Sequence, residues 1–310
     1  MDMDRENLKL EVVYQYYMRH ASQAQIAKSY SVSRSYVSKL LIEARNEGLV
    51  EIKINKPLIS ESETERRLRE LYGLKKVLIA TNDGYEGLGE ALNKYLNSIL
   101  NDGDIIGVAW GKTLLESSRM LESYKLYKEL RVVQLCGGVS SITNNTYAND
   151  IVINYADAFG AMPFVLPLPA FVESHEFKKT FLKESNISSV MSLMNSVNIA
   201  VFTVGVMDSS SSLIRTGYIS QHEIEELLAK GAAGELCTHV VDKNGQCVDQ
   251  SLEDRSTSIS LGILKKCPNR IALALEVERI PSLRAALKAG YINVLIISKS
   301  VAEHLSNPPL

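Results

Sequence analysis

The chain has 310 residues, 45% of them hydrophobic and 23% charged, with a formal net charge of −2, which is ordinary for a soluble globular protein of about two domains. The acidic, polar start MDMDRENLK excludes a signal peptide, and no apolar run approaches the roughly 18 residues that a membrane helix needs. The four cysteines, Cys136, Cys237, Cys247 and Cys267, are scattered without zinc-like spacing, so reduced thiols in a cytoplasmic protein are expected.

The first predicted element is a helix with a broad apolar face of Leu8, Leu10, Val12, Val13, Tyr16, Tyr17 and Met18. A second helix runs from about Gln23 to Tyr30. Ser22 is its N-cap candidate, and Ala24, Ile26, Ala27 and Tyr30 form an apolar stripe. Ser31, Val32 and Ser33 interrupt, with Val32 placed to plug the gap between helices. Ser33 then caps a third helix from Arg34 to about Asn46, which packs through Val37, Leu40, Leu41 and Ala44. Gly48 ends it, and Leu49–Ile54 alternates as a strand. Three helices and a strand in this order predict a winged helix-turn-helix, whose third helix enters the DNA major groove.

The DNA-facing candidates are Gln23, Gln25, Ser33, Arg34, Ser35, Tyr36, Ser38 and Lys39. Arg can read guanine bidentately, while Ser and Lys mostly hold phosphates. From Arg19 to Lys56 there are seven basic residues against three acidic ones, a local positive patch on a mildly acidic chain. That balance suits double-stranded DNA as a partner. The alternative is a small helical packing or dimerisation domain, which the two caps and the exposed polar helix start disfavour.

Residues 1–56 are therefore assigned to DNA binding and 57–310 to a second domain, with 57–75 as a connecting helix. Ser60 with Glu63 matches a capping box, and Leu68, Leu71 and Tyr72 supply a narrow apolar seam. From Val77 onward, short apolar strands alternate with amphipathic helices. The expected strands are Lys76–Ala80, Ile105–Ala109, Arg131–Leu135, Ile199–Val204, Val240–Val241, Ile271–Leu275 and Val294–Ile297. Helical patterns fill Gly89–Leu100, Thr113–Leu121, Ile151–Ala158 and Ser282–Ala289. Fully apolar strands alternating with helices predict an α/β, Rossmann-like sheet covered on both faces. Its ligand belongs at the carboxyl ends of the strands.

That rule selects three segments. Ile105–Ala109 leads into Trp110, Gly111, Lys112 and Thr113 and then a helix, a combination suited to phosphate or another anion. The Arg131–Leu135 strand, which contains Gln134, leads into Cys136, Gly137, Gly138, Val139, Ser140 and Ser141. The third strand ends in Gly205. Each glycine alone could be an ordinary turn; three together favour a small-molecule pocket.

The motifs GDIIGVAWGKTL (103–114), VVQLCGGVSS (132–141), VFTVGV (201–206), IRTGYIS (214–220), GAAGELCTHVVDKNGQ (231–246) and AALKAGYINVLIIS (285–298) occur in the order seen in SorC-type sugar-responsive transcriptional regulators, which the chain resembles along essentially its whole length. On Asn145–Phe171 it is most similar to the deoxyribonucleoside regulators of Gram-positive bacteria within that family. The resemblance implies an effector domain built like sugar-phosphate isomerases and deaminases, a phosphorylated sugar as effector, and operator DNA as partner. It also implies a homo-oligomer, dimer or tetramer, and no cofactor. It adds Asn145, Arg215, Glu235, Arg255 and Arg279 as pocket or interface residues. Three departures stand out. Cys136 occupies the place of a lysine that can form a Schiff base with a sugar aldehyde, Glu235 that of an aspartate, and Leu275-Glu276 that of a Gly-Gly pair, with Arg279 for lysine. Arg can still hold a phosphate. These changes point to a related but different effector.

The expected function is a repressor of a carbohydrate catabolic operon, switched by a phosphorylated sugar. The alternative is a sugar-phosphate isomerase or deaminase with an appended DNA-binding head. An enzyme needs a positioned base and acid. Glu235, Asp208 and the five histidines are the candidates, and no pair stands at catalytic spacing.

Overall fold

The computed structural model of the protein describes residues 4–19, 21–50, 61–123, 125–138 and 146–307. The chain forms two compact units, Met1–Ile59 and Ser60–Leu310. Most of the Leu49–Ile54 strand, the Ser60 cap, Ser140, Ser141 and Asn145 lie outside the described residues.

The first unit holds α1 (Arg5–Val13), which runs on as a π-helical stretch Tyr14–Met18, then α2 (Gln23–Ser29) and α3 (Arg34–Asn46). Ser22 and Gln25 form a reciprocal capping box on α2, and the Ser33 hydroxyl accepts the Tyr36 N–H at the start of α3. Val12, Ile26, Ala27, Val37, Leu40 and Leu41 make the core, with Val32 packed against it from the turn. The expected apolar faces were too generous. Leu10 and Met18 are 51% and 69% exposed, and Ala24 is exposed too. Three helices of this length enclose few side chains, and that space is already filled. A charge is buried instead: the Lys9 ammonium lies 2.5 Å from Glu47 and 2.8 Å from Glu6, and Arg5 meets Glu43 at 2.6 Å. The Arg5–Glu43 and Lys9–Glu47 pairs tie α1 to α3 and its C-cap.

The second unit opens with α4 (Glu63–Tyr72) and β1 (Lys76–Ile79). Its reciprocal capping box is Ser62 with Glu65. Leu68 is buried and the Tyr72 hydroxyl donates to the Leu305 carbonyl, whereas Leu71 is 56% exposed and drops out of the expected seam. Glu65 also accepts the Ile79 N–H at 2.8 Å, fastening α4 along β1.

There follow α5 (Tyr85–Ile99), β2 (Ile105–Val108), α6 (Lys112–Ser118), β3 (Arg131–Gln134), α7 (Ala148–Phe159), β4 (Met162–Phe164), α8 (His175–Phe181), α9 (Ser185–Met194) and β5 (Ile199–Gly205). After β5 come α10 (Ser212–Arg215), α11 (Gln221–Ala229), the hairpin β6 (Ala232–Leu236) and β7 (His239–Asp242), α12 (Gln250–Arg255) and α13 (Leu261–Lys266). The chain ends in β8 (Asn269–Ala274), a 3-10 turn Val277–Arg279, α14 (Ile280–Lys288), β9 (Val294–Ile297) and α15 (Lys299–Ser306).

Seven strands run parallel in the order β1-β9-β8-β5-β2-β3-β4. The β6–β7 hairpin joins antiparallel to the end of β5, pairing Gly205 with Glu235. β2 and β9 are buried at every residue, as a sheet covered on both faces requires. β4 and β6 were not expected. β4 reads Met-Pro-Phe, and its proline fits only because the strand lies at the sheet's edge. β6 reads AAGEL, which has no strand preference of its own; its pairing with β5 and β7 imposes the conformation. From β2 the chain proceeds outward through β3 to β4, then returns to lay β5 on the other side of β2. Such a reversal leaves a crevice at the carboxyl ends of the strands.

Candidate functional site

A cavity of about 350 Å³ opens at that crevice. The β2 end contributes Ala109 to Thr113, the β3 end Cys136, and the β5 end Gly205 and Val206. The segment after β5 adds Ser210, Ser212 and Arg215, the β6–β7 hairpin Glu235, Cys237 and Thr238, and the segment after β8 Glu276, Glu278 and Arg279.

Gly111 adopts φ 130°, ψ 160°, a conformation effectively open only to glycine, and space for a Cβ exists there. Its role is to let the chain turn from β2 into α6. Lys112 then projects with its ammonium 5.9 Å from the centre of the Tyr85 ring. Thr113 is buried, while Lys112 and Arg215 are exposed at the rim. Neither cation has an acidic partner among the described residues.

Gly137 and Gly138 do not line the cavity. A Cβ on Gly137 would sit 2.3 Å from the Pro169 carbonyl oxygen and from Thr257 Oγ1, and one on Gly138 would sit 2.4 Å from Ala148 Cβ. These two glycines exist for close packing. Gln134 also faces inward: its carbonyl accepts the Leu166 N–H at 2.7 Å and its amide donates to Asn149. Gly205 combines both roles, bordering the cavity while a Cβ there would lie 2.3 Å from Glu235 Oε2.

Glu235 is 8% exposed and lies on the floor. Burial pushes its carboxyl up to about 7, against the pull of the Thr238 N–H, His239 and Arg279. The carboxyl accepts that N–H across a turn in which Cys237 (φ 47°) and Thr238 (φ 69°) are both left-handed. Neither residue favours that conformation, and Thr238, being β-branched, favours it least. A buried hydroxyl cluster holds the turn: Thr238 Oγ1 lies 2.6 Å from Ser258 Oγ and 3.1 Å from Ser256 Oγ. Cys136 and Cys237 are both free, buried thiols, and the neighbouring Cys136 together with burial raises the Cys237 thiol, which keeps it protonated.

Arg279 is already engaged. Its Nε is 2.6 Å from Glu276, and Nη1 donates to the Val204 carbonyl. Arg255, grouped with the pocket in the sequence reading, lies in a separate groove beside Glu223, Lys230 and Asp249. Tyr85, Ser210, Ser212 and Thr238 line the cavity without having been expected. For Ser210 and Ser212 the available signal was the run of four serines, Ser209–Ser212, shortly after β5. None of the described histidines lines the cavity, and Asp208 stays outside it. His239, Cys247 and Glu253 gather near it with metal-ligating atoms within 4.8 Å of one another. Those atoms satisfy one another: His239 Nδ1 is 2.6 Å from Glu253, Nε2 is 2.7 Å from the Ile259 carbonyl, and the Cys247 thiol donates to Glu253. The cluster fastens α12 to β7.

In the first unit, Arg34, Ser35, Lys39 and Gln25 are exposed; Ser33 is exposed as well, and Gln23 and Ser38 are half-buried. Tyr36 packs against the apolar core, and the Gln25 carbonyl is held by the Ser22 N–H. Glu43 and Glu47, two of the three acidic residues counted near the positive patch, are paired with Arg5 and Lys9. The exposed start of α3 therefore carries Arg34 and Lys39 with no acid paired to either among the described residues.

A sequence family described as "Putative sugar-binding domain" matches residues 56–307. The chain is 33% identical to the deoxyribonucleoside regulator of Bacillus subtilis (strain 168) over 313 residues, covering 99% of both chains. It is 26% identical to the sorbitol operon regulator of Klebsiella pneumoniae, covering 97% of this chain and 98% of that one. The crystal structure of full-length SorC from Klebsiella pneumoniae superposes with a TM-score of 0.73 at 24% identity, over 98% of this chain and all of that one. The crystal structure of a domain of "a possible sugar-binding transcriptional regulator" from Arthrobacter aurescens TC1 superposes with a TM-score of 0.72 at 28% identity, over 81% of this chain and all of that one.

Proposed function

The chain belongs to the SorC family of transcriptional regulators with a sugar-binding domain, and from that premise we propose that it represses a carbohydrate catabolic operon until a phosphorylated sugar fills the cavity of its second unit. It is a regulator and not an enzyme, like the relatives it matches. One observation carries the proposal. Lys112 and Arg215, which have no acidic partner among the described residues, share a 350 Å³ cavity with the hydroxyls of Thr113, Ser210 and Ser212. Cations and hydroxyls converging on strand ends suit a phosphate, and the carboxyl of Glu235 suits sugar hydroxyls.

In this reading residues 1–56 are a winged helix-turn-helix whose α3 enters the major groove of operator DNA. Arg34 reads a base, while Ser35, Ser38, Lys39, Gln23, Gln25 and Ser33 position the helix on phosphates. Residues 57–310 bind the effector, with the architecture of sugar-phosphate isomerases, and join copies of the chain into a dimer or tetramer. The effector acts by preferring one arrangement of the oligomer; it can shift the balance only by its difference in affinity for the two. DNA release is the expected direction.

The test is a pair of measurements on the full chain: a thermal-shift screen against phosphorylated pentoses, hexoses and deoxyribose, and operator binding with and without any hit. Lys112→Ala with Thr113→Val should remove the thermal shift and leave effector-free operator binding intact. A shift that survives both substitutions would place the ligand elsewhere; turnover of the hit would revive the enzyme.

A further inference from the structure

The cavity is electrically lopsided, and the strand order says in which direction. β2 and β8 flank β5, so their ends are two strand spacings apart, roughly 10 Å. At the β2 end stands Lys112. At the β8 end stand Glu276, Arg279 and Glu278. Arg279 gives no free positive charge there, because Glu276 holds its Nε at 2.6 Å and the Val204 carbonyl takes Nη1. Glu278 is exposed on the rim and has no basic partner among the described residues. The β8 end is thus a neutral ion pair plus one carboxylate, with Glu235 on the floor beneath. Among the described lining residues, the cations without an acidic partner are Lys112 and Arg215, enough for one phosphate.

We infer that the cavity takes a sugar monophosphate in one orientation, phosphate toward Lys112 and unphosphorylated end toward Glu276 and Glu278, and discriminates against sugars phosphorylated at both ends. This rests on the sugar-phosphate reading above and adds polarity to it. The span of about 10 Å between the strand ends matches a five- or six-carbon sugar phosphate lying across β5. Its far hydroxyls can donate to carboxylates, which accept only. A second phosphate there would meet Glu278, and the cation of that end, Arg279, is already paired with Glu276. Two like charges a few ångströms apart at a solvated rim lower affinity about tenfold, and less as salt rises.

The experiment uses the full chain and matched pairs: ribose 5-phosphate with ribose 1,5-bisphosphate, glucose 6-phosphate with glucose 1,6-bisphosphate, and fructose 6-phosphate with fructose 1,6-bisphosphate. Affinities are measured by calorimetry at low and high salt. The monophosphate should bind about tenfold tighter in any pair that binds. Glu278→Gln should narrow the gap. Glu276→Gln should narrow it more, because it releases the Arg279 guanidinium to meet the second phosphate. Both changes lie at the rim and keep the shape of the side chain, so folding is not at stake. A bisphosphate that binds wild type as well as its monophosphate overturns the inference and leaves the sugar-phosphate reading standing. A gap unchanged in both variants also overturns it, since the carboxylates would not then be the cause. If no member of any pair binds, the sugar-phosphate reading falls and the inference with it.

Discussion

The start of α3 and the floor of the cavity are built in opposite ways. At Arg34, Ser35 and Lys39 the side chains are exposed, and the backbone beneath them is fixed by one local cap, Ser33. On the floor Glu235 and Thr238, and behind them Ser256 and Ser258, are buried, bonded to one another, and drawn from two separate stretches of chain. Under the proposed function, a surface that meets a large, regular partner can leave its side chains free. A floor that must discriminate among small ligands holds its polar groups in place before any ligand arrives. Substitutions in the first region should therefore change binding and spare stability, and those in the second should do the reverse or both.

The largest effect should come from Gly137→Ala. Its Cβ would press on a backbone carbonyl that cannot move cheaply, so a loss of about 3 kcal/mol is expected in denaturant unfolding. A change below about 1 kcal/mol would mean that this corner is looser than described.

Next comes Glu235→Gln, whose effect depends on pH. The carboxyl's folded pKa, about 7, stands above the ordinary 4.5, so the folded state holds the proton more tightly than the unfolded one. Its contribution is complete below about pH 4.5 and is lost as pH rises through about 7. Glutamine does not titrate. The variant should gain on wild type between pH 5 and pH 8, by roughly 2–3 kcal/mol, read from melting temperatures at each pH. A constant offset between the two proteins would show that Glu235 is ionised throughout.

Arg34→Ala tests the other region. Operator affinity should fall about tenfold or more, as for a lost bidentate base contact, with the melting temperature unchanged and the effector-induced shift retained. Lys39→Ala should act more weakly, alike on all sequences, and reduce the salt dependence. If both variants bind operator like wild type, α3 is not the reading helix. The smallest effect is that of Ser33→Ala, which removes a cap and should cost about 1 kcal/mol in the stability of the first unit.

The same contrast explains what could be read in the sequence. The limits of α3, Arg34 to Asn46, matched because both ends carry local signals, the Ser33 hydroxyl and the left-handed Gly48. β9 matched because four apolar residues in a row between polar neighbours leave little choice. Gly111 and Gly137 looked alike, each a glycine just past a strand. One is there for its φ and the other for the nearness of Pro169, some thirty residues further on, which no local pattern reveals. The Cys237–Thr238 turn was invisible for the same reason, since left-handed turns usually announce themselves with glycine or asparagine. Arg279 was recognised as a cation, but only the structure shows its charge already matched by Glu276.

The two outer strands of the sheet have a consequence for assembly. On β1, Lys76 and Ala80 direct their N–H groups to the β9 side, so Ile79 points its own outward, and the Glu65 carboxylate covers it. On β4, Pro163 has no N–H to offer. A bare strand edge would invite another chain to extend the sheet and begin an aggregate. With a donor capped on one edge and a donor missing on the other, copies of this chain are steered away from growing strand by strand. For the proposed oligomer this favours contacts through helices and side chains, whose interfaces can slide or separate without unzipping a sheet.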